Sequence, residues 1–279
     1  MEERDGYPHG VPCWVDTLQP DVEAALAFYG ELFGWAFVGP GPMPPDPSGR
    51  YFVAQARGLD VAGVGSQPPE APPVVSWNTY VSVTSADEAT NKVRSAGGRV
   101  MVEPFDALPA GRTAVLADPE GAVFCVWEAR ERKGAQLVND AGAWSWSGLS
   151  TRDPERAKAF YNSVFGWEIE TMGSGDAEYT MFRVAGYVGG RPAQPVSREV
   201  VAGMSRIPGD RDDEPHWSID FWVDDVDAIA RKAGELGGSA VVPPYDTPIA
   251  RQAVLADPQG AMFSVSKVRV PTQPPGEQR

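Results

Sequence analysis

Histidine, the side chain most used as a neutral-pH base and as a metal ligand, occurs only as His9 and His216 in 279 residues. That inventory excludes a histidine-rich metal centre, and it excludes two separate histidine-based catalytic sites. His9 lies in a Gly/Pro-rich stretch and reads as a surface residue. Cysteine also occurs twice, as Cys13 and Cys125. Two are too few for a disulfide scaffold, so both are expected to be reduced. Cys125 would act as a nucleophile only beside a basic neighbour, and none can be named, so it reads as a plain buried cysteine. Arg112 and Arg251 stand at equivalent places before two Asp-Pro turns. Each can bind the turn aspartate or a ligand oxygen, and the structural role is the expectation. The chemistry is left to carboxylates, hydroxyls, amides and aromatic rings.

The setting for those groups is a folded, acidic chain. A hydrophobic fraction of 42% with 22% charged residues supports real cores, and the length suits one large domain or two ordinary ones. A net charge of −14 repels phosphate backbones and anionic headgroups, so neither nucleic acid nor membrane is an expected partner. No apolar run approaches the ~20 residues that span a bilayer. The acidic start Met1-Glu2-Glu3-Arg4-Asp5 lacks an apolar signal segment, so a cytoplasmic location is expected.

What must position the chemistry is a repeat. Trp14, Phe28-Tyr29 and Phe33-Gly34-Trp35 recur 132 positions later as Trp146, Phe160-Tyr161 and Phe165-Gly166-Trp167. Trp77 pairs with Trp217, and Gly97-Gly98 with Gly237-Gly238. Val115 to Ala122 is nearly repeated as Val254 to Ala261, including Asp118-Pro119-Glu120-Gly121 against Asp257-Pro258-Gln259-Gly260. Each half reads as strand, helix and three strands, twice over. Asp21 and Asp153 are placed to cap the first helices, Pro154 stands at a first helical position, and Gly34 and Gly166 suit the exits. Val22, Ala25, Leu26, Tyr29, Leu32 and Phe33 form one helical face that must be buried against a sheet. The segment 39–49, dense in Gly and Pro, reads as a loop. The predicted organisation is a first domain over 8–129, a charged connector over 130–140, a second domain over 141–269, and a Pro-rich mobile tail over 270–279.

The Asp-x-x-x-Ala-x-Ala-Phe-Tyr-x-x-x-Phe-Gly-Trp helix and the Asp-Pro-x-Gly turn resemble the signals of the vicinal oxygen chelate superfamily. That group includes glyoxalase I, extradiol dioxygenases and bleomycin-resistance proteins. The match covers nearly the whole chain, twice, and is more specific for fold than for chemistry. It implies an α+β protein of two tandem glyoxalase-like domains, each of two βαβββ modules forming an open curved barrel with a ligand on its concave face. The strings Gly10 to Asp16 and Gly134 to Asn139 also resemble a narrower tandem group, some of whose members are described as hydroxylases or as helpers of hydroxylation in anthracycline biosynthesis.

Metal-using relatives place His, Gln or Glu on the first and closing strands of each module. The positions so implied here are Trp14, Asn78 and Cys125, then Trp146, Ser218 and Ser264, and none is an imidazole or a carboxylate. No metal and no other cofactor is therefore expected. Strand alternation adds Asp16, Tyr80, Val123 and Trp127 to the first concave wall, and Gly148, Asp220, Trp222 and Met262 to the second. Such walls suit a small, aromatic ligand. Asp16 and Asp220 are the acid–base candidates, since a carboxylate on an apolar wall has its pKa raised. Glu128 is expected to point to the other face. The leading expectation is a metal-free binding protein for a hydrophobic or aromatic metabolite, with a sequestration, resistance or accessory role in secondary metabolism. The alternatives are a cofactor-independent enzyme or hydroxylation helper acting on a polyketide-like substrate, and a metal-dependent lyase or dioxygenase. Either a monomer or a homodimer fits the duplication.

Overall fold

The computed structural model describes residues 2–44, 46–69, 74–173, 178–189 and 197–269; the expected tail over 270–279 lies outside them. In the first half, β2 (Pro12–Gln19), α1 (Val22–Phe33), β3 (Ala36–Met43), β4 (Asp46–Ala56) and β5 (Leu59–Ser66) form one module. Then β6 (Trp77–Ser82), α2 (Ala86–Ser95), β7 (Arg99–Ala107), β8 (Gly111–Ala117) and β9 (Val123–Ala129) form the next. The second half repeats the order as β11 (Trp144–Thr151), α3 (Pro154–Phe165), β12 (Glu168–Met172), β13 (Tyr179–Arg183) and β14 (Val200–Arg206). It ends with β15 (His216–Trp222), α4 (Val226–Glu235), β16 (Ser239–Asp246), β17 (Ala250–Ala256) and β18 (Met262–Val268). A two-stranded pairing of β1 (Glu2–Glu3) with β10 (Leu137–Val138) completes the described elements.

Each half supplies one eight-stranded sheet, ordered β3-β4-β5-β2-β6-β9-β8-β7 in the first and β12-β13-β14-β11-β15-β18-β17-β16 in the second. The fold is α+β, two tandem curved sheets of paired βαβββ modules. The leading strands of the two modules meet antiparallel at the centre, with Trp14 opposite Tyr80 and Asp16 opposite Asn78. The local signals act as their chemistry requires. The Asp21 carboxylate accepts from Ala24 N at 3.0 Å and that of Asp153 from Arg156 N at 3.1 Å. Gly34 and Gly166 end their helices at φ 73°, a left-handed conformation that costs glycine nothing.

Two expectations are corrected. Residues 39–49 are not a plain loop, because β3 and β4 run through most of them as a hairpin with register shifts. Pro40 and Pro42 are tolerated because β3 is an edge strand, which has a neighbour on one side only. The second correction concerns the cores, which do not follow the halves. One core joins the first module to the last: Tyr29 and Trp35, with Trp77 at the start of β6, pack with Phe221, Phe263 and Leu255. The other joins the two middle modules: Leu116 and Phe124 pack with Tyr161, Phe165 and Trp167. α1 and α3 also pack on the other half's sheet, Phe33 against Phe221 and Phe263, and Phe165 against Phe124.

The repeated motifs build this shared interior. Tyr29 OH donates to Asp257 Oδ2 at 2.8 Å and accepts from Trp77 Nε1 at 3.1 Å. Symmetrically, Tyr161 OH donates to Asp118 Oδ2 at 3.2 Å and accepts from Trp217 Nε1 at 2.9 Å. The Asp-Pro turn aspartates thus bind the other half's helix, and their Oδ1 atoms cap their own turns. Arg112 and Arg251 do not touch them; they pair with Asp87 and Asp106, and with Asp227 and Asp246. Residues 130–140 are no free connector either. Ala135 and Leu137 are fully buried, and Ala135 N donates to Cys13 O.

Candidate functional site

On the concave face of the first sheet the side chains are bonded to one another. Asp16 on β2 is 1% exposed, and both of its oxygens are engaged. Asn78 Nδ2 donates to Oδ1 at 2.9 Å, while Tyr51 OH and Tyr80 OH donate to Oδ2 at 2.9 and 2.8 Å. Trp14 Nε1 donates in turn to the Tyr51 hydroxyl at 2.8 Å. Gly63 makes the approach of Tyr51 possible, since a Cβ there would lie 1.9 Å from its hydroxyl oxygen. Trp127 stands edge-on to Tyr80 and donates from Nε1 to Arg132 O at 2.9 Å. Cys125, 1% exposed, completes the wall, and burial pushes its thiol well above the usual range, which removes it as a nucleophile. Burial raises Asp16 as well, opposed by its three donors. These donors come from β4 and β6 and tie both strands to β2. Asp16 holds the sheet together.

The second sheet has the same register and the opposite outcome. Trp146 lies opposite Asp220, Gly148 opposite Ser218, and Asp220 beside Ser264. Equivalent positions therefore carry Gly148 for Asp16, Ser218 for Asn78, Asp220 for Tyr80, Ser264 for Cys125 and Ser266 for Trp127. All five changes remove volume, above all the exchange of the Trp127 indole for a hydroxymethyl, while on the adjacent strand Trp222 stands where the first sheet has Ser82. The space left is a cavity of about 490 Å³. Its wall includes Trp146, Gly148, Ser218, Asp220, Trp222, Ser264 and Ser266 from the sheet, together with Tyr179, Gly203, Tyr245 and Gln252. Tyr7, Pro12, Val138 and Asn139, from the N-terminal segment, β2 and the inter-half segment, close one side.

Asp220 is the charge in that wall. It is 7% exposed, and its Oδ1 accepts from Ser145 Oγ at 2.9 Å and from Ser266 Oγ. Its Oδ2 is buried with no hydrogen-bond partner among the described residues. Burial raises the carboxyl from 3.8 to about 6, opposed by the two serine hydroxyls. Trp146 Nε1 donates to Tyr179 OH at 3.2 Å, and Gly203 leaves room for that hydroxyl as Gly63 does for Tyr51.

The predicted residues divide accordingly. Trp146, Ser218, Asp220, Trp222 and Ser264 line the open cavity; Trp14, Asp16, Asn78, Tyr80, Cys125 and Trp127 form the filled wall. Met262, expected on the second wall, is 53% exposed and is absent from the cavity lining. Glu128 turns away to accept from Ala86 N at the start of α2. Sequence reading missed Ser266, Tyr179, Gly203 and Tyr7. Ser266 was recoverable as the repeat partner of Trp127; Tyr7 was not, because only the fold brings it to this cleft. The donors at the metal positions do not fit a divalent ion. Asp220 is the single carboxylate in the cavity wall, and among the described residues no three His, Cys, Asp or Glu side chains converge.

Two curved sheets of paired βαβββ modules, with a cavity on a concave face, define a tandem glyoxalase-like protein. The family described as "Glyoxalase/Bleomycin resistance protein/Dioxygenase superfamily" matches residues 14–126, and a "Glyoxalase-like domain" family matches 146–266. The chain belongs to the glyoxalase/bleomycin resistance protein/dioxygenase superfamily. Among its relatives, "Putative glyoxylase CFP32" of Mycobacterium tuberculosis (strain CDC 1551 / Oshkosh) is 39% identical, over 96% of this chain and 98% of that protein. "Anthracycline biosynthesis protein DauV" of Streptomyces sp. (strain C5) is 35% identical, over 94% of this chain and 95% of the relative. A Mn(II)-bound glyoxalase from Novosphingobium aromaticivorans shares the fold at a TM-score of 0.61 and 17% identity, covering 93% of this chain and 83% of that one.

Proposed function

We propose that the protein binds a small planar aromatic metabolite in the second cleft, without a metal ion, and that the first cleft is a structural counterpart. The observation that carries this reading is the paired exchange of Asp16, Tyr80 and Trp127 for Gly148, Asp220 and Ser266, which converts a filled wall into a cavity of about 490 Å³. A volume of that order holds a ligand of two to four fused rings, within the range of ~300–1,000 Å³ for small-molecule pockets. Trp146, Trp222 and Tyr179 supply ring faces for stacking, and Asp220 and Ser264 supply polar contacts that fix orientation. Relatives named for anthracycline biosynthesis support a polycyclic aromatic ligand of polyketide type. The walls come from one chain, so a monomer suffices for binding, and the net charge of −14 disfavours nucleic acid and anionic membranes as partners.

The test is a titration with a panel of planar polyketides, following tryptophan quenching and product formation before and after chelation. Saturable quenching that survives the chelator supports the reading. Ser266→Trp restores the bulk found in the first cleft and is expected to abolish quenching. Binding undiminished in Ser266→Trp, or a stoichiometric transition metal found by elemental analysis, refutes it.

A further inference from the structure

We infer that the bound ring system carries a neutral carbonyl oxygen, and that the Tyr179 hydroxyl donates to it where the first sheet has the Asp16 carboxylate. The inference rests on the binding reading above and names the ligand's class: a planar aromatic ketone or quinone. The duplication carries it, because one half shows what the donor of the other half is built to meet. In the first sheet Asp16 pairs with Gly63, and the Tyr51 hydroxyl lies over that glycine. This hydroxyl accepts from Trp14 Nε1 at 2.8 Å and donates to Asp16 Oδ2 at 2.9 Å. In the second sheet Gly148 pairs with Gly203, the Tyr179 hydroxyl lies over Gly203, and it accepts from Trp146 Nε1 at 3.2 Å. Phenol, indole and glycine are kept, and only the acceptor is gone. No group among the described residues accepts from the Tyr179 hydroxyl. A Cβ built on Gly148 would meet nothing closer than Ser218 Oγ at 3.4 Å, so the space that Asp16 fills in the first sheet is open here. Tyr179, Gly148 and Gly203 all line the cavity, which gives a ligand atom access to that space.

Asp220 decides the charge of the acceptor. It stands where the first sheet has Tyr80, the second phenol that donates to Asp16, so a donor has been exchanged for a negative group. A ligand carboxylate would lie beside that charge in a wall with no lysine, arginine or histidine among its described residues. A carbonyl oxygen takes the same bond without the repulsion. Burial, and after it the charge of Asp220, raises the Tyr179 pKa, so the phenol keeps the proton it donates.

The probes are 9-fluorenone and fluorene, which share a flat three-ring skeleton and differ by the carbonyl. Equilibrium dialysis at pH 7.5 measures both affinities. Tyr179→Phe keeps the ring and removes the donor. It should weaken fluorenone by about 3- to 10-fold, one net hydrogen bond, and leave fluorene unchanged. Gly148→Asp returns to the tyrosine the acceptor of the first sheet and should weaken fluorenone by at least as much. The carbonyl stretch of bound fluorenone, read by difference infrared spectroscopy, should lie below its frequency in hexane and rise in Tyr179→Phe. Read in the wild type alone, it keeps the test open if a variant misfolds. Fluorene-9-carboxylate should bind more weakly than fluorenone; the reverse order overturns the assignment of a neutral acceptor. An equal loss of both probes in Tyr179→Phe, a bound carbonyl at its hexane frequency, or fluorenone binding undiminished in Gly148→Asp overturns the inference and leaves the binding reading standing. A wild type that binds neither probe sinks both.

Discussion

Replacing Asp220 by asparagine should make the protein more stable relative to wild type as pH rises, which is unusual for a polar substitution in an interior. Folding raises this carboxyl from 3.8 to about 6, because burial removes water that its two serine donors only partly replace. The folded protein thus holds the proton more tightly than the unfolded chain. The stability this contributes is fully present below pH 3.8 and is lost as pH rises through about 6. At pH 8 this one group contributes about 3 kcal/mol less than in strongly acid conditions, and about 1 kcal/mol of that loss falls between pH 5 and pH 8. Asparagine keeps an oxygen for Ser145 and Ser266 and cannot ionise, so its packing cost is the same at both pH values and cancels in the comparison. Urea unfolding of both proteins at pH 5 and pH 8, followed by tryptophan fluorescence, gives the difference directly. The gap should move in favour of Asp220→Asn by about 1 kcal/mol on going to pH 8. Parallel pH dependences would show that Asp220 titrates as it does in the unfolded chain, and the argument for a desolvated carboxylate would fall with them.

Two further substitutions test the frame around the site. Gly63→Ala places a Cβ 1.9 Å from the Tyr51 hydroxyl and drives that ring from Asp16, at an expected cost of about 1–3 kcal/mol in urea unfolding; unchanged stability would contradict the close approach. Tyr29→Phe removes a donor from Asp257 and an acceptor from Trp77 across the shared core, at about 1–3 kcal/mol, while leaving a single unfolding transition for the whole chain. Two separate transitions would show that the halves fold independently.

Much of this was legible in order along the chain. The duplicated Phe-Tyr and Phe-Gly-Trp helices, the Asp caps and the glycine exits are local signals, and a local signal needs no partner to be read. Strand alternation likewise put Trp146, Ser218, Asp220 and Ser264 on one face, because side chains alternate strictly along a strand. That the positions implied for metal ligands carry Trp14, Asn78, Cys125, Trp146, Ser218 and Ser264 is a matter of residue identity. Three things were not legible. The prolines of 39–49 concealed a hairpin, since only the strand order shows that β3 is an edge. The motif aspartates Asp118 and Asp257 looked like turn residues, and only docking of the halves shows that each also anchors a tyrosine of the other. Asp16 and Asp220 looked alike as acid–base candidates, and the distances alone show that both oxygens of Asp16 are bonded while Oδ2 of Asp220 has no partner among the described residues. Sequence determines which groups a strand offers to a face, because that depends on covalent order. Whether the offered volume is filled or left open depends on what arrives from other strands, and that is decided only when Tyr51, Asn78 and Tyr80 converge on Asp16, while Tyr179, at the place of Tyr51, finds at Gly148 no side chain to bond.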